Sequence, residues 1–383
     1  MHAADPELVA RYFDHGATSF PKPAAVARAM ARYIDGCGGT YGRAAYGQVH
    51  DASRMVFETR ERLARLIGCA DSSRVAFTLN ATHALNLAIQ GLARPNGVVL
   101  VSPLEHNSAM RPLFALGARL GLRTAIMPHG ADGRVRPEAI EVPPPACLAV
   151  VSHQSNVNGA LQPIAAIKKR LGAVPLLVDA AQSAGEIPLD AERDGLDLVA
   201  VSGHKHLLGP TGVGALYVRP GLALPALMPG GTGSRSDSLE QPEVMPDALE
   251  SGTLNVAGLA GLCAALEFLE TNGLGSGVRL AGLAIVELRK ISGVRVLCAA
   301  DPAHRGGLFS FAVDGTPPSE VARVLYARHG IAVRAGLCCA PSAHRALGTS
   351  DVGGAVRVSF GRFHDDGAVD RIAAAVADAV RRP

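Results

Sequence analysis

VDAAQSAG at residues 178–185 and SGHKHLLGPTGVG at residues 202–214 each start where a short apolar run ends. The runs are Leu176–Asp179 and Leu198–Ser202. Both read as buried strands, because they are continuous, aliphatic and followed by Gly-containing turns. In an open α/β sheet, ligands lie in the crevice outside the carboxyl ends of the strands. Asp179 closes the first run and Lys205 follows the second, so both side chains reach one crevice.

The same texture extends outward from these segments. Val75–Leu79, Val98–Ser102, Thr124–Met127, Leu148–Ser152 and Gly214–Val218 complete a set of seven candidate strands. Helical patterns lie between them, among them Ala52–Leu66 and Ala84–Gly91. In Ala52–Leu66 the apolar stripe is drawn from Met55, Phe57, Leu63 and Leu66, with Glu58, Arg60, Glu61 and Arg62 as its charged complement. Alternating strands and helices predict an α/β fold with a doubly wound, mainly parallel seven-stranded sheet covered on both faces. From about Leu254 the pattern changes. A long Ala/Leu stretch, Val256–Leu269, reads as a helix joining two domains. After it come Gly307–Val313, a helix at Ser319–His329, Ile331–Arg334, Val356–Gly361 and a last helix at Asp366–Arg381. The expected organisation is a large domain at 1–255, with its first 20 residues near the site, and a smaller α+β domain at 256–383. The polar, Gly-rich stretch Pro229–Ser238 reads as an ordered loop near the site, with a flexible connector as the alternative.

Composition narrows the function. Apolar residues make up 48% of the 383-residue chain, which supplies a large core, and with aromatics at only 4% that core is aliphatic. A net charge of +3, with Lys168–Arg170 as the longest basic run, argues against a nucleic-acid partner. The seven cysteines are odd in number, scattered and without a C-x-x-C spacing, so neither a disulfide framework nor a metal site is expected. They point to a reducing, cytoplasmic compartment. The start, MHAADPELVARYFDHG, has no basic flank before an apolar core, so no secretory signal is expected. No run reaches about 18 apolar residues, so no membrane span is expected either.

A Lys and an Asp in one crevice suit pyridoxal phosphate (PLP). That cofactor forms an imine with an amine and needs a carboxylate beside its pyridine nitrogen to keep the nitrogen protonated. The freed lysine then suits general-base work at the substrate. A plain ion pair at a strand end is the competing reading of these two residues alone. Thr78–Leu85, TLNATHAL, places a small-residue turn before a helix, whose free N–H groups, with the Thr82 hydroxyl, make a phosphate cradle. Ser202 and His204 flank Lys205 and point to the same phosphate. His106, in LEHNS, follows a strand and is suited to stacking on a flat ring. Asn156, in SHQSNVNG, and Gln182 are suited to hydrogen-bonding a ring hydroxyl.

Taken in order, FDHGATSFPKP (13–23), FTLNATHALNLA, SPLEHNS, SHQSNVNG, VDAAQSAG, SGHKHLLGP, GGTGSRS, ESGTLN, VRAGLCCAP (333–341) and AVRVSFGRF (355–363) resemble the class V aminotransferase family of fold-type I PLP enzymes, in its cysteine desulfurase and selenocysteine lyase branch. The resemblance runs along nearly the whole chain. It implies a PLP-dependent cysteine desulfurase that turns L-cysteine into L-alanine and leaves a persulfide on the enzyme. By matched position Lys205 is the Schiff-base lysine, Asp179 pairs with the pyridinium nitrogen, and His106 stacks on the ring. Asn156 and Gln182 contact the ring oxygen and substrate. Ala81, Thr82, Ser202 and His204 bind the phosphate. Thr253, in ESGTLN, reaches the phosphate of a partner subunit, which implies a homodimer with shared sites. Arg357 grips the substrate carboxylate, a role suited to a planar, bidentate guanidinium. Ala17 and Arg334 fall on the substrate side.

In the family a Cys on the loop after V-R-x-G attacks the substrate sulfur. Aligning on the following Ala340–Pro341 puts Cys339 in that place, while Cys338 stands where related sequences commonly have His. The nucleophile must be a thiolate, and Arg334 nearby favours that form. His15 and Gly16 stand where the family often has Asn and Ala, and Thr40–Gly47 departs around Arg43, a part expected to line the partner's site. Rival readings are a selenocysteine lyase, a C–S β-lyase or an aminotransferase of the same family, and a non-catalytic binding protein of this fold. A sulfur-acceptor protein is an expected partner of a desulfurase.

Overall fold

The computed structural model describes residues 4–42, 44–275 and 277–381. Arg43, singled out above, lies outside the described residues.

Seven strands form the main sheet: β1 Val75–Thr78, β2 Val98–Val101, β3 Arg123–Ile126, β4 Ala146–Ser152, β5 Leu176–Asp179, β6 Leu198–Ser202 and β7 Gly214–Val218. Their order across the sheet is β1-β7-β6-β5-β4-β2-β3. Strands β2 to β6 pair in parallel, and β7 runs antiparallel to both β6 and β1. These are the seven segments expected from the sequence, with ends moved by a residue or two. Central strands are buried along their whole length, as Val/Leu-rich strands in a sheet covered on both faces must be. Successive side chains go to opposite faces. Val178, Val199 and Val201 therefore enter one core with Leu63, Leu207 and Leu266, while Leu177, Leu198 and Ala200 enter another with Leu85, Ile89 and Leu113.

Register places the chemistry. Ser152 lies opposite Asp179, and Ser202 opposite Gly214, which also faces Thr78 at the end of β1. The polar ends of β1, β4, β5 and β6 therefore share one edge. Gly214 makes this possible, because a Cβ there would sit 2.7 Å from Asn80 backbone atoms.

A second sheet follows: β8 Val294–Leu297, β9 Leu308–Val313, β10 Arg334–Gly336 and β11 Ala355–Ser359, in the order β10-β11-β9-β8 and antiparallel throughout. Helices Gly277–Leu288, Pro318–His329 and Gly367–Arg381 cover it. The sequence pattern did not single out β8 or the first of these helices. In β8 the burial is partial and it is only four residues long, so its periodic signal is weak. The joining helix extends over Val256–Asn272, and its Leu259, Leu262 and Leu266 pack into the large-sheet core. Pro229–Ser238 carries no regular structure. Among the described residues no helix is long and apolar enough to cross a membrane.

The N-terminal segment ties the two sheets together. Phe13 is wholly buried in the core of the smaller sheet. Its N–H donates to the Ala332 carbonyl at 2.8 Å, and its own carbonyl accepts from the Ser359 N–H at 2.8 Å. A few residues on, the Ser19 N–H and the Lys22 Nζ donate to the His204 carbonyl, at 3.1 and 2.5 Å.

The helix expected at Ala52–Leu66 spans Gly47–Leu66, and its inner face differs from the stripe read in the sequence. Phe57 is 60% exposed, whereas Arg60 is buried. The guanidinium is tolerated there because Glu250 meets it with two hydrogen bonds, at 2.5 and 3.0 Å, and Glu250 also accepts from the Phe77 N–H at 2.6 Å. Removing one partner from such a pair strands a buried charge. Glu250→Ala is therefore expected to lower unfolding free energy by about 3–5 kcal/mol, measured by urea denaturation. A loss below about 1 kcal/mol, the level of an exposed pair, would show that Arg60 finds water instead.

Candidate active site

At the carboxyl edge of the large sheet lies a cavity of about 230 Å³. Lys205, Asp179, His106, Asn156, Gln182, Ala81, Thr82, Ser202 and His204 all line it, from five different strand ends. Asn80, Ser108, Ser152, Gln154 and Ala181 complete the wall. None of these five was singled out from sequence, although all of them stand within motifs that were.

One end of the cavity is built for an anion. The helix Ala81–Leu92 opens there, capped by Asn80, whose Oδ1 accepts from the His83 N–H at 2.9 Å. The N–H groups of Ala81 and Thr82 take no protein acceptor among the described residues. Those free donors, the positive end of the helix dipole and the nearby Ser202 hydroxyl favour a phosphate. The Thr82 and Ser108 hydroxyls are 2.8 Å apart. His204 Nδ1 is buried without a partner, and burial, with Lys205 and Lys22 close by, pushes the ring's pKa down to about 4.

Asp179 stands on β5 with one oxygen fixed by the Ala181 N–H at 2.9 Å. The other has no protein donor among the described residues. Burial raises the Asp179 pKa, opposed by that N–H and by Lys205. Lys205 lines the same cavity, near enough for each charge to act on the other. Burial is the main cause of its depressed pKa, about 8, with Asp179 pulling the other way and Arg357 and Arg334 adding to the depression. The amine is thus neutral far more often than an exposed lysine's.

His106 caps the helix Asn107–Leu120. Its Nδ1 accepts the Ser108 N–H at 3.0 Å, which leaves the proton of the neutral ring on Nε2. Burial first, then Lys205 and Arg357, lowers its pKa to about 4. Beside it, buried Glu105 accepts from Ser102 Oγ at 2.5 Å and from the Ser152 N–H at 2.8 Å, fastening the His106 turn to the end of β4. Burial pushes the Glu105 pKa up to about 7. It lies inside the quoted LEHNS motif, yet nothing local marks it as buried.

Arg357, on β11, is not itself part of the cavity wall and is tied to it through Asn156, which is. Its Nη1 donates to the Asn156 carbonyl at 3.1 Å and its Nη2 to Asp14 at 2.6 Å, while Nε is buried without a partner. Gln182 is fixed by its amide N–H to the Gly16 carbonyl at 2.9 Å, with its Oε1 unpartnered. Gly16 also donates to Ser359 Oγ at 2.8 Å. Gly16 itself bonds through its backbone, but its lack of a side chain matters: a Cβ would stand 3.0 Å from Arg357 Cζ.

The two thiols face different surroundings. Cys338 is buried against Leu104, Val157, Ala160, Ala299, Ala343 and Leu347, and burial raises its pKa. Cys339 is exposed. Both have φ in the left-handed region, 46° and 56°, where non-Gly residues are uncommon. One side chain and one backbone amide hold the strained tip: the Asn156 Nδ2 donates to the Cys338 carbonyl at 2.7 Å and the Asn107 backbone N–H to the Cys339 carbonyl at 2.8 Å. The loop is thereby docked onto the cavity's rim.

Other expected residues stay outside the wall. Thr253 is exposed, in a separate depression with Phe77, Leu79, His83 and Leu249. Arg334 is exposed on β10, paired in register with Arg357. Ala17 is half-buried beside Asp14, to whose carbonyl its N–H donates at 2.9 Å.

A cavity that offers an anion the free N–H groups of a helix N-terminus and is lined by both an amine and a carboxylate, at the carboxyl edge of a mainly parallel sheet, defines a class of α/β enzymes. The chain belongs to the family Aminotransferase class-V, which it matches over residues 11–372. A relative from Methanothermobacter thermautotrophicus, described as a probable cysteine desulfurase, is 35% identical over 91% of this chain and 89% of its own length. Among solved structures, the apo cysteine desulfurase of Thermococcus onnurineus superposes with a TM-score of 0.85 and 28% identity, covering 97% of this chain and 94% of that one. The cysteine desulfurase CsdA of Escherichia coli, solved in an S-sulfonic acid form, gives 0.85 and 28%, with 99% of both chains covered. The similarity is thus end to end, which agrees with the fold-type I architecture expected from the sequence.

Exposure predicts which thiol reacts. Brief treatment of the folded protein with iodoacetamide, followed by peptide mass mapping, is expected to alkylate Cys339 and spare Cys338. Equal labelling of both, with the protein still folded, would show that the apolar wall around Cys338 opens readily.

Proposed function

We propose that the chain is a PLP-dependent cysteine desulfurase, taking sulfur from L-cysteine onto Cys339 and yielding L-alanine. The observation that carries the reading is the convergence of Lys205, the free Asp179 oxygen and the Ala81–Thr82 donors on one cavity. The chain's likeness to cysteine desulfurases along its whole length supports it. The donor set fits the cofactor. Ala81, Thr82, Ser202 and His204 would hold its phosphate, Asp179 its ring nitrogen, Gln182 and Asn156 its ring oxygen, and His106 its face. Bound there, PLP supplies an electron sink for the charge left when a substrate loses its α-proton.

The chain's own groups do the rest. Lys205, with a large neutral fraction near pH 8, accepts the α-proton and can return it. Arg357, kept oriented by Asn156 and Asp14, binds the substrate carboxylate. Cys339, presented on a docked and strained loop, supplies the thiolate that takes the sulfur. Cys338, held protonated by its apolar wall, stays out of the reaction. Thr253 serves a second copy of the chain, since it lies away from its own cavity. Leu239 and Val244, 108% and 72% exposed, supply nearby apolar surface for that copy. A homodimer with shared sites, a cytoplasmic setting and delivery of the sulfur to an acceptor protein belong to the same proposal. So does the division into residues 1–255, which hold the cavity, and 256–383, with the helix between them seated on the larger core.

Lys205→Ala is expected to abolish the visible cofactor band and all turnover. Cys339→Ala should keep the band and lose sulfide release. Should Cys338→Ala alone lose it, the assignment of the nucleophile moves by one residue. Product analysis separates the family's chemistries: alanine supports desulfuration, whereas pyruvate and ammonia from cysteine would identify a β-lyase instead.

The Lys205 pKa sets a further expectation. Only the neutral amine condenses with an aldehyde, and the amine is protonated below its pKa. The rate of cofactor uptake by the apoprotein, followed by the visible band, should rise with pH through about 8 and level above it. A rate still climbing toward 10.5, the ordinary lysine value, would contradict the burial argument.

A further inference from the structure

Asp14 lies in the N-terminal segment, far from Arg357 in sequence, yet its Oδ1 is 2.6 Å from Arg357 Nη2. The guanidinium is 3% exposed and the carboxylate 18%. The segment holding Asp14 is fixed by its backbone on both sides: Phe13 to Ala332 and Ser359, Gly16 to Ser359 and Gln182. Asp14 is therefore not a mobile surface partner that a ligand pushes away. Arg357 Nη1 is taken by the Asn156 carbonyl, and Nε alone is buried with no acceptor. A buried, unpartnered N–H of a cation calls for an anionic oxygen. Gly16 leaves the space beside Cζ that the guanidinium fills.

We propose that Asp14 is a positioning and specificity-setting residue: it fixes Arg357 through Nη2, leaves the Nε edge free for the α-carboxylate of an amino-acid substrate, and weakens that carboxylate's binding by adding a negative charge beside it. The inference rests on the proposed function for the identity of the ligand. It goes beyond it in assigning Asp14 a role that opposes binding. Arg334, opposite Arg357 in register, and Lys205 add positive charge to the same region. Without Asp14, a departing product carboxylate would meet this excess unbalanced. Asp14 thus favours release of the product as well as orientation of the substrate.

The test uses the PLP-loaded protein, its visible band, and two probes: L-alanine, which carries the carboxylate, and L-alaninamide, which does not. Asp14→Asn keeps a side chain of the same shape that accepts from Nη2 and removes the charge. It is expected to tighten L-alanine binding about three- to fivefold, the upper scale of a screened charge pair, and to leave L-alaninamide within twofold. Asp14→Ser, measured alongside, removes the same charge with a smaller side chain and guards against a folding failure of the first variant. It should tighten L-alanine relative to the amide as well. Unchanged or weaker L-alanine binding in a folded variant would overturn the proposal, as would an equal effect on the amide. If L-alanine leaves the wild-type band unmoved, it is the amino-acid reading of the site that fails, and the role assigned to Asp14 falls with it.

Discussion

Burial of the Lys205 amine beside Asp179 is the constraint on which the rest of the structure depends. An ammonium taken out of water is costly, and a carboxylate likewise; each offsets part of the other's penalty, and the lysine still settles at a pKa of about 8. Such an arrangement persists only if the surrounding backbone leaves the two groups no alternative. The sheet provides this. Asp179 and Lys205 follow adjacent parallel strands whose register is set by fully buried aliphatic faces, and a slip by one residue would turn every side chain to the wrong face.

Around that pair, order is carried by hydrogen bonds that cross the molecule. The His204 carbonyl, next to Lys205, is held by Ser19 and Lys22 of the N-terminal segment. The same segment pairs with β11, which brings Arg357, and its Gly16 carbonyl holds Gln182. Asn156 belongs to the large part, yet it fastens the Cys338 carbonyl of the small one and accepts from Arg357. One short stretch of chain and one amide thus fix the amine, the guanidinium and the thiol loop relative to each other. Moving any of the three would break bonds to groups with no access to water, a cost of about 1–3 kcal/mol for each unmet buried group.

The vicinal thiols show how position within a wall decides chemistry. Cys338 and Cys339 are chemically identical and adjacent. One is enclosed by Leu104, Val157 and Ala299 and held neutral, and the other is open. The backbone is left-handed at both residues, and the Asn156 and Asn107 hydrogen bonds hold it there.

The sequence by itself determined the seven strands of the large sheet and the polar groups at their ends. Continuous aliphatic runs bounded by Gly-rich turns leave little freedom in where a buried strand begins and stops, and Asp179, Lys205, His106, Asn156 and Thr82 each follow such a run or open the next helix. Short or half-exposed elements, β8 above all, gave no comparable signal because their periodicity is too brief. What only the tertiary structure decided are the contacts between distant segments: Arg60 with Glu250, Asp14 with Arg357 across 343 residues, Gln182 with Gly16, and the opposite fates of the two cysteines. Local pattern reports which face of an element is apolar. It carries no information about which charged partner another part of the chain brings to that face, and in this protein those partners complete the site.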